Sequence, residues 1–273
     1  MEQLHFIFDL DGTVFQVLDG INKEQDLKRF NKIFGNRFIE RYSVFACDYR
    51  HLVFPGFYSL FRWILNRGDK LYFFSNGIKE RNQEAVKKLM KKTFGKNYKA
   101  KLEEVEIYSR EDHLDTYKSQ VKNENVQGPF HGNRKKLLSD NIVDKEKIPY
   151  TVLIDNDRSY LHQGEEKNFL NVLHSAVGYY QQRFKKDLFY HFHKSYYICG
   201  LINSAIKLMK RENLTLADSL WQLQVKDTGE EFNRNFYYPL RRNPKYYLKG
   251  YKILKRLNPN LEFYCDIPET DKK

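Results

Sequence analysis

Little in this chain supports a covalently stapled or membrane-embedded protein. Among 273 residues there are three cysteines, Cys47, Cys199 and Cys265, far apart and odd in number. That argues against a disulfide framework or a zinc knuckle, and a reducing, cytoplasmic compartment is the natural expectation. No apolar run is long enough to span a bilayer. The N-terminus runs straight into a strand-like segment, so no signal peptide is expected either. There are no internal repeats. Aromatics at 16% and aliphatic runs throughout exclude wholesale disorder.

What the chain has in excess is positive charge. Lysine and arginine number 47 against 35 acidic residues, for a net charge of +12. Such a surface attracts polyanions, whether nucleic acid, anionic lipid headgroups or acidic proteins, although a merely lysine-rich solvated surface gives the same count. The length is enough for a substantial core, as one large domain or one domain with an appendage.

The hydrophobic pattern alternates strands with helices. His5 to Phe8 read as a short buried strand. Residues 22–45 carry Leu27, Phe30, Ile33, Phe34, Phe38 and Ile39 at helical spacing, and Pro55-Gly56 precedes a second amphipathic helix through Tyr58, Leu60, Phe61, Ile64 and Leu65. Asp69 to Phe74 read as a strand ending at Ser75-Asn76-Gly77. A basic helix over 79–94, a short strand at 105–108, a polar loop over 111–134 and a helix opening at Lys135 come next. Then Tyr150 to Ile154 form a strand ending at Asp155-Asn156-Asp157. Alternation of this kind implies an α/β fold with a doubly wound parallel sheet.

Open α/β sheets place their ligands at the carboxyl ends of the strands. Phe6-Ile7-Phe8-Asp9-Leu10-Asp11-Gly12-Thr13 puts two carboxylates at such an end, before a glycine that permits a sharp turn. Alone, this is a strand followed by an Asp-Gly turn, which many proteins contain. With its apolar lead it resembles motif I of the haloacid dehalogenase (HAD) superfamily of phosphotransferases, and three further motifs follow in that family's order. Ser75-Asn76 stands at motif II, Lys136 in Lys135-Lys136-Leu137-Leu138-Ser139 at motif III with Lys135 as its alternative, and Asp155 at motif IV. Where the family more often has two adjacent acids, or acids three or more apart, this chain has Asp155-Asn156-Asp157. That is similar to the Asp-Asn pair of the protein phosphatases acting on the RNA polymerase II tail, and either Asn156 or Asp157 could complete the shell.

The resemblance implies a Rossmann-like HAD core over residues 1–175, with a small cap inserted at about 15–54. It implies a phosphatase in which Asp9 attacks phosphorus to form an aspartyl-phosphate. Asp11 would protonate the leaving oxygen and then deprotonate the hydrolytic water. Ser75, Asn76 and Lys136 would bind the phosphoryl group. Mg2+ would be held among Asp9, Asp11, Asp155 and Asn156, since a hard cation takes oxygen ligands.

A small cap leaves the site open, which favours a phosphate borne on a macromolecule. A phosphoprotein, phosphotyrosine among its forms, is therefore the expected substrate, with small phosphometabolites or nucleotides as the alternative. Residues 176–273 read as a basic, aromatic-rich, mainly helical extension. It repeats Tyr179-Tyr180, Phe189-Tyr190, Tyr196-Tyr197, Tyr237-Tyr238 and Tyr246-Tyr247, and from Arg234 to Arg256 it has eight basic residues and no acidic one. It could bind phosphoinositides, another anionic lipid surface or nucleic acid, and a polyanion-binding module with a vestigial HAD core is the third reading. Packing of a helical appendage accounts for the tyrosines equally well. The residues Ile198, Leu201, Ile202, Ala205, Ile206 and Met209 are spaced as a packed helix. Cutting the chain near residue 175 is expected to spare chemistry. The overall layout resembles HAD-type phosphatases, some of them phosphotyrosine phosphatases, that intracellular pathogens such as Legionella deliver into host cells.

Overall fold

A computed structural model describes residues 2–17, 28, 38–110, 112, 138, 142–157, 160, 164–172, 185–228 and 243–264. Its centre is a parallel sheet of β1 (His5–Phe8), β5 (Lys70–Phe74), β6 (Val105–Tyr108), β7 (Thr151–Asp155) and β8 (Phe169–Asn171), in the order β6-β5-β1-β7-β8. Every residue of β1 is buried, as expected of a strand covered on both faces of a parallel sheet. Register runs Phe8↔Phe73 towards β5 and Phe8↔Ile154 towards β7. The carboxyl ends of β5, β1 and β7 therefore line up along one edge of the sheet. The strand β8, three residues long, was not anticipated; it is too short to show a period.

Between β1 and β5 the chain builds a small antiparallel sheet in the order β2-β4-β3, from β2 (Phe15–Val17), β3 (Ser43–Ala46) and β4 (Tyr49–Val53). This corrects the helical reading of 22–45 at its end. Among the described residues helix α1 is Phe38–Tyr42, and the chain is extended from Ser43. Val44 and Ala46 point inward while Phe45 is 45% exposed, so the period has changed from helix to strand. Cys47 and Asp48, with φ of 45° and 63°, form the tight β3–β4 turn, the geometry a two-residue hairpin needs. Residues 18–27 and 29–37 lie outside the described residues.

Helix α2 (Phe57–Asn66) starts after Gly56, whose φ is 87°. Its Phe57, Leu60, Phe61, Ile64 and Leu65 form one apolar face. Phe61 packs edge-on against Phe8 of β1 and Phe73 of β5, at 5.3 Å each. Helix α3 (Lys79–Phe94) buries Ala85, Val86, Leu89 and Met90 and is followed by the short α4 (Tyr98–Glu103). The expected helix at Lys135, and the loop from 113 onward, fall outside the described residues.

After the sheet come helices α5 (Lys185–Phe192), α6 (Lys194–Glu212), α7 (Leu216–Thr228) and α8 (Pro244–Leu257). Helices α6 and α8 meet at Gly200 and Gly250. A Cβ on Gly200 would lie 1.9 Å from the Tyr246 carbonyl oxygen, and one on Gly250 1.8 Å from that of Tyr196. Phe189-Tyr190, Tyr196-Tyr197 and Tyr246-Tyr247 are all buried. These aromatic pairs are interior packing, and they belong to the same apolar cluster as Phe6, Phe8 and Phe73. Tyr179-Tyr180 and Tyr237-Tyr238 lie outside the described residues. No helix among the described residues is long and apolar enough to cross a membrane.

Candidate active site

The polar residues at the aligned strand ends come together. The Asp9 N–H donates to the Ile154 carbonyl at 2.9 Å, carrying the β1–β7 ladder one residue past β1. Asp155, the last residue of β7, therefore stands beside Asp9, and the two are 1% and 6% exposed. The Asp157 N–H donates to Asp155 Oδ1 at 2.8 Å and orients that carboxylate. The Thr13 hydroxyl donates to Asn156 Oδ1 at 3.0 Å, tying the turn after β1 to the end of β7.

After Asp9 the chain leaves the sheet, as two converging carboxylates require. Gly12 has φ of 80°. Val14 and Phe15 each donate to the Leu10 carbonyl at 3.0 Å, and the Gly12 N–H to that of Phe15 at 2.8 Å. This reversal directs Asp11 towards the end of β5. There the Ser75 hydroxyl donates to Asp11 Oδ2 at 3.2 Å and accepts the Gly77 N–H at 3.2 Å. Asn76 belongs to the same turn, and its carbonyl accepts a bond from Arg110 Nε at 2.9 Å.

Two basic residues at the site were not anticipated. Arg81, in the first turn of α3, donates Nη1 to Asp11 Oδ1 at 3.1 Å and Nη2 to Asp11 Oδ2 at 2.5 Å. Gly77 makes room for it, since a Cβ there would lie 1.8 Å from Arg81 Nη2. Lys194, at the start of α6, is buried, and its ammonium donates to the Gly12 carbonyl. Burial drives its pKa well below the ordinary lysine value, and the nearby Asp9 carboxylate opposes that shift. Arg81 could have been sought one turn after Gly77. Nothing in the sequence marks Lys194, which lies 182 residues beyond Gly12.

Lys135 and Lys136 lie outside the described residues. Asp9, Asp155 and Asn156 offer two carboxylates and an amide oxygen at neighbouring strand ends, a donor set of the kind a hard cation takes. The Asp11 carboxylate is engaged with Ser75 and Arg81 instead. No group of three or more His, Cys, Asp or Glu that could hold a metal ion occurs among the described residues, so a cation here would depend on Asn156 or backbone oxygens besides Asp9 and Asp155.

Fold and site together define a doubly wound α/β protein with an acidic centre at the carboxyl edge of its sheet. Two solved structures are similar to it. One is the fission yeast RNA polymerase II CTD phosphatase Fcp1, in a substituted form bound to beryllium fluoride, at 15% identity and a TM-score of 0.40. The other is Fcp1 described as an essential RNA polymerase II CTD phosphatase, at 16% identity and a TM-score of 0.40. Each match covers 93% of this chain and 62% of the other, so the chain spans less than two thirds of their length. No protein-family model and no curated protein matches it.

Proposed function

We propose that this chain is a HAD-type, Mg2+-dependent phosphatase that hydrolyses phosphomonoesters of proteins, phosphotyrosine being the first candidate. The observation that carries the reading is the meeting of Asp9, Asp11, Ser75 and Asp155 at the aligned ends of β1, β5 and β7. They are the residue types phosphoryl transfer needs.

In the first step an Asp9 carboxylate oxygen bonds to phosphorus while the bond to the leaving oxygen breaks. Asp11, carrying a proton, gives it to that oxygen. In the second step water attacks phosphorus, the bond to Asp9 breaks, and Asp11 takes the water's proton. Ser75 supplies a hydroxyl donor for a phosphoryl oxygen, and Asn76 and Lys136 are assigned to the same group. Asp9, Asp155 and Asn156 would hold Mg2+, which supplies charge neutralisation at the phosphoryl oxygens. Arg81 joins them as a phosphoryl-binding residue, because its planar fork suits phosphoryl oxygens as well as the carboxylate it now grips. Substrate binding would draw the guanidinium from Asp11 to the phosphoryl oxygens.

The small β2-β4-β3 sheet in the place of a large cap favours a substrate presented on a polymer. Exposed apolar side chains are compatible with that: Ile78 follows the Ser75–Gly77 turn and is 47% exposed, and Phe45 and Tyr49 flank the β3–β4 turn at 45% and 48%. That turn is anchored on α3, where Glu84 accepts the Cys47 N–H at 2.7 Å. Division of the chain near residue 175 into a sheet-containing part and a helical extension is part of the proposal. A panel of phosphopeptides, sugar phosphates and nucleotides, assayed with Mg2+ and with chelator, tests it. Mg2+-dependent turnover of phosphopeptides is expected, and turnover confined to sugar phosphates or nucleotides would refute the protein substrate.

A further inference from the structure

Lys194 is the first residue of α6, yet only 1% of it reaches solvent. Withdrawing an ammonium from water is unfavourable unless hydrogen bonds and opposite charge compensate. Its surroundings supply some of each. The ammonium donates to the Gly12 carbonyl, inside the loop that carries Asp9 and Asp11. It also lies 4.2 Å from the centroid of the Phe54 ring, a further stabilising contact for a desolvated cation. Burial lowers its pKa well below the ordinary lysine value, and the nearby Asp9 carboxylate opposes that shift.

The helix that delivers Lys194 is firmly placed. The Ser195 hydroxyl donates to the Pro55 carbonyl at 2.5 Å. Gly56 lies against Ser195 and Tyr196, and Gly200 and Gly250 lock α6 onto α8. The His193 ring, just before the helix, accepts the Tyr264 N–H at 3.0 Å. The chain after residue 185 is thus built to hold the start of α6 beneath the Asp9–Thr13 loop.

We propose that Lys194 is a positioning residue of the phosphoryl-transfer site, through which the C-terminal helices complete the catalytic centre. Its ammonium fixes the loop at Gly12 and sets positive charge beside the Asp9 carboxylate and the phosphoryl group that Asp9 receives. It moves no proton and forms no covalent bond. The inference rests on the reading of Asp9 as nucleophile. It reverses the expectation that a chain cut near residue 175 keeps its chemistry, and it adds to the role assigned to Lys136 rather than replacing it.

The test uses the full chain with Lys194→Met, Asp9→Asn and the double variant. Urea denaturation of all four proteins gives the coupling between the two residues without reference to activity. The orphaned Gly12 carbonyl costs the same in either background and cancels. Lys194→Met is expected to lower the folding equilibrium constant at least tenfold more when Asp9 is present than when it is Asn. In p-nitrophenyl phosphate hydrolysis at saturating Mg2+, kcat of Lys194→Met should fall by 10-fold or more with KM within threefold. Equal destabilisation in both backgrounds, or an unchanged kcat, overturns the proposal. If Lys194→Met folds only together with Asp9→Asn, that is the expected coupling in extreme form, and if it folds in neither, Lys194→Gln carries the same cycle. A wild-type chain that hydrolyses no phosphomonoester sinks the phosphatase reading, while the denaturation cycle still decides the Lys194–Asp9 pairing.

Discussion

Arg81 grips Asp11 by both carboxylate oxygens, at 3.1 and 2.5 Å, and the same Nη2 reaches Asn82 Oδ1 at 2.8 Å and Ser75 Oγ at 3.5 Å. A group assigned to proton transfer and the phosphoryl group it serves would therefore draw on one cation. A bidentate ion pair with Arg81 15% exposed is also more than a loose surface contact.

Replacing Arg81 with alanine should remove a substrate contact and leave Asp11 free. One charge-assisted contact is worth about 1.5–3 kcal/mol, so KM for a phosphopeptide should rise roughly 10- to 100-fold. kcat should stay level or increase. Arg81→Lys should recover little, since an ammonium lacks the planar fork. Steady-state kinetics decide this, and a fallen kcat at constant KM would contradict substrate binding by Arg81.

Gly77→Ala offers an independent route to the same effect. The new Cβ would lie 1.8 Å from Arg81 Nη2 and 2.6 Å from Asn82 Oδ1. Both are side-chain ends, and Arg81 can swing away, so the stability cost should stay within the roughly 1–3 kcal/mol of ordinary overpacking. KM should rise as in Arg81→Ala, and combining the two substitutions should add nothing further.

At Gly200 and Gly250 the obstacle is backbone on the facing helix, which cannot rotate aside. Alanine at either position must push α6 and α8 apart and should cost about 3 kcal/mol or more. Gly68 makes a useful contrast: nothing lies within 4 Å of its Cβ site, but its φ is 77°. Gly68→Ala should cost only the left-handed backbone penalty of about 1–2 kcal/mol. Denaturant titration of the three variants ranks them.

His193 should give the fold a pH dependence. Its Nε2 accepts the Tyr264 N–H at 3.0 Å, so the proton sits on Nδ1, which donates to the Phe189 carbonyl at 2.9 Å. Burial lowers its pKa from 6.5 to about 3, so the fold holds the neutral ring while the unfolded chain takes up a proton below pH 6.5. Its stabilisation is complete above pH 6.5 and is lost as the pH falls towards 3. The stability gap between wild type and His193→Gln should shrink by roughly 1 kcal/mol per pH unit below 6.5. Urea titrations at several pH values measure it, and a constant gap would contradict the assignment.

Much of the sheet was legible because its strands are buried on both faces and read as unbroken apolar runs: Phe6-Ile7-Phe8, Leu71 to Phe74 and Val152 to Ile154. Helices α2 and α3 were legible from their stripes, and Ser75 and Asp155 from their places at strand ends. The β3–β4 hairpin was not. Phe38 and Ile39 continue a helical rhythm that breaks only at Ser43, and the positive φ at Cys47 and Asp48 falls on residues that carry no glycine signal. The burial of the C-terminal tyrosines depends on Gly200 meeting Gly250, and such long-range contacts leave no local trace. Arg81 and Lys194 escaped for the same reason: each is one basic residue among 47 until the fold brings it to Asp11 or Gly12.

The covalent role of Asp9 is tested most directly by acid-quenching wild type and Asp9→Asn during turnover of a phosphopeptide with Mg2+ and mapping their peptides by mass. A phosphoryl increment on the Asp9-containing peptide of wild type, absent from Asp9→Asn together with phosphate release, is the expected result. Undiminished phosphate release by Asp9→Asn would contradict it.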